Sequence, residues 1–210
     1  MAIYKGNKKV VAVYKGSTPI NKIYKGSTLV FQKSGGGGST HLFEGTATGN
    51  FDLKINENQT IPITPDADGK WFYDTDEKIT SLSEFLYNQL SVTSVDLSSL
   101  DLTSIPTSKM FEGDSNITSI KFNNTKSMKL THVSLMFKDC SSLVSLDLSS
   151  FDVSNITKPW FIGNMFSNCT SLSTIKCKQA FKDWCITNQD MIQLPTAMRE
   201  GGSGTWEIVN

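Results

Sequence analysis

The chain has 210 residues, 38% of them apolar and 19% charged, and its 20 basic and 20 acidic residues cancel to a formal charge of zero. That length holds one or two domains of ordinary globular composition. No apolar run approaches the ~20 residues that a membrane-crossing helix needs, so no insertion of that kind is expected.

The zero conceals a split. Residues 1–33 carry seven lysines and no acidic residue, which leaves 13 basic and 20 acidic residues in the remainder, +7 against −7. The two parts are therefore expected to meet different surroundings. The lysines recur beside glycine at fixed positions, so they are read as solvated hairpin ends and not as a nucleic-acid-binding arm. No uninterrupted apolar core followed by a small-residue cleavage site opens the sequence, and export by the usual route is not expected.

Residues 3–32 form a triplicate spaced by ten: IYKGNKKVVA, VYKGSTPINK, IYKGSTLVFQ. Each unit opens on a β-branched residue and tyrosine, and Lys-Gly then supplies a turn, which predicts three short hairpins or a meander. Some thirty residues bury little apolar surface alone, so Tyr4, Tyr14, Tyr24, Lys5, Lys15 and Lys25 are the candidate docking or assembly residues. A homotrimer is one assembly this would allow. Residues 34–40, SGGGGST, read as a flexible linker.

Residues 41–73 alternate at Phe51-x-Leu53-x-Ile55, Ile61-x-Ile63 and Trp71-x-Tyr73, which predicts three or four antiparallel strands acting as a cap. The acidic residues from Asp66 to Glu77 invite a calcium loop, but the spacing lacks the closing glutamate, and a turn explains Pro65 to Gly69 better. Leu82, Phe85 and Leu86, at i, i+3 and i+4, predict a short helix over 80–89.

From residue 91 a repeat takes over. Val92-x-x-Val95-x-Leu97, Ile117-x-x-Ile120-x-Phe122, Leu143-x-x-Leu146-x-Leu148 and Leu172-x-x-Ile175-x-Cys177 begin 25, 26 and 29 residues apart. Met110-Phe111, Met136-Phe137 and Met165-Phe166 keep pace. That period predicts a leucine-rich-repeat solenoid over 91–190, closed by 191–210. The expected class is thus mainly β with short helices: a β-capped solenoid over 41–190 preceded by a small hairpin module. Asp96, Lys121, Asp147 and Lys176 fall between inward residues, so they are expected along one outer face, pairing across strands. Trp160 and Phe161, in an expanded loop after Lys158-Pro159, are either binding anchors or buried against the next coil.

The run MFKDCSSLVSLDLSSFDVSNIT, Met136 to Thr157, resembles the leucine-rich-repeat family of surface proteins from Bacteroidales and mycoplasmas. The likeness covers about 90–190, although Asn123-Asn124-Thr125-Lys126 stands where the family carries Ser-Ser-Phe-Asp. It implies a display or binding surface. The YKGS triplicate is similar to the N-terminal module of virion structural proteins from crAss-like and other phages of gut Bacteroidales. That resemblance implies a head- or tail-fibre or other appendage protein, located in the virion and docked on other virion proteins through 1–33. Its outer domain would meet a host-surface glycan or protein. The alternative is a bacterial cell-surface adhesin.

Little points to chemistry. Cys140 and Cys169 each follow an MF pair by three residues and read as packing; Cys169, Cys177 and Cys185 lack C-x-x-C spacing. His132 and Cys140 are the nearest approach to a nucleophile pair, and Cys140 sits at a core position. No cofactor, metal or catalytic residue is expected.

Overall fold

The computed structural model describes strand backbones between residues 3 and 32, and residues 41–75, 78–125 and 127–209. Three separate antiparallel hairpins open the chain: β1 (Ile3–Lys5) with β2 (Lys8–Val10), β3 (Tyr14–Lys15) with β4 (Thr18–Pro19), and β5 (Lys22–Lys25) with β6 (Thr28–Gln32). Each pair brackets one Lys-Gly turn signal, as the tenfold spacing predicts. The side chains of Tyr4, Tyr14, Tyr24, Lys5, Lys15 and Lys25, like the linker, lie outside the described residues.

β7 (Phe43–Ala47), β8 (Phe51–Ile55), β9 (Gln59–Ile63) and β10 (Lys70–Tyr73) supply the expected alternating strands. β8 and β9 make a hairpin whose Phe51, Leu53 and Ile55 face inward. β7 is sandwiched antiparallel between β10 and β11 (Val92–Leu97), and β11 pairs in parallel with β12 (Ser119–Phe122). The close approach of β7 to β11 depends on Gly45, where an added Cβ would stand 2.0 Å from the Ser94 carbonyl oxygen.

The leucine-rich-repeat solenoid is corrected by the strand pairing. A solenoid of that type runs its strands into one continuous parallel sheet, whereas this chain is mainly β, 9% helical, and divided among several small separate sheets. β11 and β12 belong to the mixed four-stranded sheet. Among the described residues β13 (Met128–Lys129) pairs only with β15 (Phe151–Asp152). β14 (Ser145–Asp147), β16 (Thr174–Lys178) and β17 (Thr205–Val209) form a third group. Among the described residues no ladder joins β12 to β14. The break falls beside the Asn123-Asn124-Thr125 departure, where the chain adds β13 before the next unit.

The repeat still organises packing. Four equivalent turns, at 83–88, 108–113, 134–139 and 163–168, are hydrogen-bonded one to the next. Glu84 N–H donates to Ser108 O at 3.0 Å, Lys109 N–H to Ser134 O at 2.9 Å, Leu135 N–H to Gly163 O at 3.0 Å and Asn164 N–H to Met191 O at 2.8 Å. Asn88, Gly113 and Asp139 continue a parallel row of such bonds to Glu112, Lys138 and Ser167. The MF pairs are fully buried between the turns, and Phe137 stacks on Phe111 at 5.8 Å and on Phe166 at 5.6 Å.

The first turn replaces the helix expected over 80–89. Leu82, Phe85 and Leu86 are buried as their spacing implies, but Glu84 and Asn88 adopt φ of 62° and 57°, which no α-helix accommodates. Every equivalent pair repeats the feature: Lys109 and Gly113, Leu135 and Asp139, Asn164 and Asn168. A left-handed conformation costs an ordinary L-residue about 1–2 kcal/mol and an asparagine less. Leu135→Asn, which copies Asn164, should therefore raise stability by up to ~1 kcal/mol in urea unfolding. A loss would show that the half-buried leucine side chain outweighs its backbone.

The chain ends with α1 (Gln179–Thr187), which buries Phe181 and Cys185, and with β17 at the sheet edge. All four cysteines are free and buried. Burial raises each thiol: Cys177 to about 11, Cys169 to about 12, Cys140 and Cys185 well above the ordinary range.

Candidate functional site

Strand alternation sets the outer face of the four-stranded sheet. In register, Phe72, Glu44, Asp96 and Lys121 form one row across β10, β7, β11 and β12, and Lys70, Thr46, Ser94 and Ser119 form the next. Lys121 Nζ lies 2.8 Å from Asp96 Oδ2. Partial burial works to raise the Asp96 carboxyl, but hydrogen bonds from Lys121 and Ser98 outweigh it and hold it below the usual carboxylate range. The bond to Asp96 correspondingly raises Lys121.

Beyond Lys70, hydroxyls fill the second row. Thr46 Oγ1 stands 2.7 Å from both Thr93 Oγ1 and Ser94 Oγ, and Thr46 N–H donates to Ser94 Oγ at 3.0 Å. At the aromatic end the His41 ring stacks on Phe72 at 4.1 Å and is fixed by Asp74, 2.8 Å from its Nδ1. The end of β9, Pro62 to Thr64, and the turn at Asp66 bound the face, leaving an open cleft of about 740 Å³. Asp66 Oδ1 accepts from Asp68 N–H at 3.0 Å and Lys70 N–H at 2.9 Å, so the acid that invited a calcium loop closes a turn. Asp76 and Glu77 lie outside the described residues.

The residues expected on one outer face are brought together in pairs, on two sheets. Asp147 and Lys176 meet at 2.9 Å on β14 and β16, apart from Asp96 and Lys121. Trp160 and Phe161 differ in exposure. Trp160 is 67% exposed on the 3-10 turn Pro159–Phe161, with Lys158 Nζ 5.6 Å from its ring centre. Phe161 is half-buried, 4.7 Å from the His132 ring.

The His132–Cys140 pair is not assembled. Cys140 donates its thiol proton to Phe111 O at 3.1 Å, while His132 Nε2 bonds to Ser134 Oγ at 2.7 Å and burial lowers its affinity for a proton. No cluster of three His, Cys, Asp or Glu among the described residues is placed to hold a metal.

Sequence reasoning missed His41, Glu44, Thr46, Lys70, Phe72 and Ser94, because β7 reaches β11 across more than forty residues and no local signal announces that pairing. Compared with protein-family models, with curated proteins and with solved structures, the chain matches none of the three.

Proposed function

We propose that the chain is an attachment component of a phage particle, docked through its N-terminal hairpins and presenting the repeat domain outward to a ligand. The observation that carries this reading is the segregation of charge and architecture. Seven lysines and no acid occupy a segment of three small hairpins, separated by a glycine-rich joint from an acidic domain that holds the cleft. A two-stranded hairpin is marginal by itself, so these hairpins gain from a surface supplied by another protein or another copy. The likeness of the YKGS triplicate to phage virion modules supports the choice of particle.

Gradient-purified phage particles from an infected Bacteroidales culture carrying the gene test the reading by mass spectrometry. Recovery of the chain in particles is expected; recovery only with host envelopes would favour the cell-surface adhesin. For assembly, light scattering of the full chain should report a trimer and a chain starting at His41 a monomer. The described core runs from Phe43 to Met198, so the shorter chain keeps it whole. Two monomers would rule out self-assembly under those conditions and leave the hairpins either docking on a different protein or packing on the repeat domain.

A further inference from the structure

The cleft over the four-stranded sheet has a composition that selects among ligands. Its volume of about 740 Å³ lies in the range of small-ligand sites. Its floor offers mainly side chains: β7 and β11 are the inner strands of the sheet, each flanked on both sides, and the Thr46 N–H turns to the Ser94 hydroxyl. An extended peptide binding by strand addition needs a free edge, and β7 and β11, the strands at the middle of this face, are flanked on both sides and provide none. A protein ligand relies on buried aromatic or arginine anchors in apolar pockets. Here the floor carries Thr46, Ser94 and Ser119 beside the paired Asp96 and Lys121, with Phe72 at one end and Pro62 and Ile63 along the wall.

That arrangement suits a ligand rich in hydroxyls. A sugar hydroxyl both donates and accepts, so adjacent hydroxyls can bridge a carboxylate and an ammonium held 2.8 Å apart, as Asp96 and Lys121 are. The pair is oriented before any ligand arrives, which lowers the ordering cost of binding. Phe72, steadied by the His41 stack, stands in the row of Glu44 and Asp96 at the end of the face, where it can cover the apolar side of a pyranose. Cationic and anionic groups are interspersed, Lys70 and Lys121 with Glu44, Asp66 and Asp96, so no single sign of ligand charge is favoured.

We infer that this cleft binds a neutral oligosaccharide of a few units, with Asp96, Lys121, Thr46 and Ser94 contacting hydroxyls and Phe72 a ring face. The inference rests on the outward-display reading above and gives its ligand a chemical class.

The fold supplies an internal control, because Asp147 and Lys176 form an equivalent pair at 2.9 Å on a different sheet, outside the cleft. Full-length protein labelled with nitrogen-15 would be titrated with maltotriose, cellotriose, mannotriose and lacto-N-tetraose, and amide shifts followed. At least one sugar should shift Glu44 to Thr46, Ser94 to Asp96 and Ser119 to Lys121 saturably. Lys121→Ala should weaken it about tenfold or more, the loss expected for one charge-assisted hydrogen bond, and Lys176→Ala should leave it unchanged. The inference is overturned if no sugar shifts these amides, or if the two lysine variants behave alike. It is equally overturned if an acidic or basic peptide saturates the face while the sugars do not. Absence of sugar binding in a chain recovered from particles would sink this inference alone; sugar binding by a chain found only in envelopes would sink the phage assignment alone.

Discussion

Replacing Asp114 by cysteine should make the protein more stable at pH 8, by about 2–4 kcal/mol in urea unfolding. Asp114 occupies the repeat position held by Cys140 and Cys169 in the following units. It is fully buried; its Oδ1 accepts from Gln89 N–H at 2.7 Å, and its Oδ2 has no partner among the described residues. Burial drives its pKa up to about 8, with the Gln89 bond opposing only in part. A carboxyl whose folded pKa lies above its unfolded value contributes full stability below the unfolded value, near 3.8, and loses it progressively until the pH passes about 8.

His132 acts in the opposite direction, since burial lowers its pKa, so its contribution is complete once the pH exceeds its ordinary value near 6.5. Between pH 6.5 and 8 the slope therefore belongs to Asp114, roughly 2 kcal/mol of lost stability over that interval at about 1.4 kcal/mol per unit. In the Asp114→Cys variant most of that slope should disappear, leaving the small share of the buried thiols, whose raised pKa values begin to count near pH 8. The substitution has somewhere to put its proton, because Cys140 and Cys169 donate to Phe111 O and Phe137 O, and Leu86 O is the equivalent acceptor. Gln89 N–H also keeps an acceptor, lying 3.1 Å from Leu86 O. A parent protein with flat stability from pH 6.5 to 8 would refute the argument, as would a variant less stable than the parent at pH 8.

Phe137→Ala should be the most damaging single truncation in the repeat region, costing about 3–5 kcal/mol. The ring is fully buried, nearly parallel to Phe111 at 8° and to Phe166 at 10°, and meets the edge of Phe122 at 6.3 Å. It joins three successive units, so neighbours on both sides would have to move to fill the space. Trp160→Ala, on an exposed ring, should change stability by less than ~0.5 kcal/mol in the same urea titration. A Phe137→Ala loss below ~1.5 kcal/mol would mean that the rings stack without bearing on the fold.

Burial was written plainly in the sequence, and pairing was not. Val92, Val95 and Leu97, and their counterparts through Cys177, are all buried as the L-x-x-L-x-L spacing requires. The spacing specifies which side chains leave water; it does not specify whether neighbouring backbones approach closely enough, and in register, to form a ladder. Hence β12 and β14 fall into different sheets, and the solenoid does not follow from a correct burial pattern. The helix expected over 80–89 failed for a related reason. An i, i+3, i+4 apolar set also fits a turn with two left-handed residues, and Glu84 offers no glycine or asparagine to betray it. The correspondence of Ser83-Glu84-Phe85-Leu86 with Ser108-Lys109-Met110-Phe111 was the better guide. Of the cleft, Asp96 and Lys121 were legible from repeat position, whereas Glu44 and Thr46 depend on a long-range antiparallel pairing that local pattern does not encode.

The sealed thiols set a condition on how the molecule ages. Attack by an oxidant or alkylating agent requires thiolate, and burial suppresses thiolate at all four cysteines while closing the approach to the sulfur. Damage then waits on opening of the surrounding coils, so the survival of these groups outside a reducing cell is timed by the fold's own breathing and not by the chemistry of sulfur.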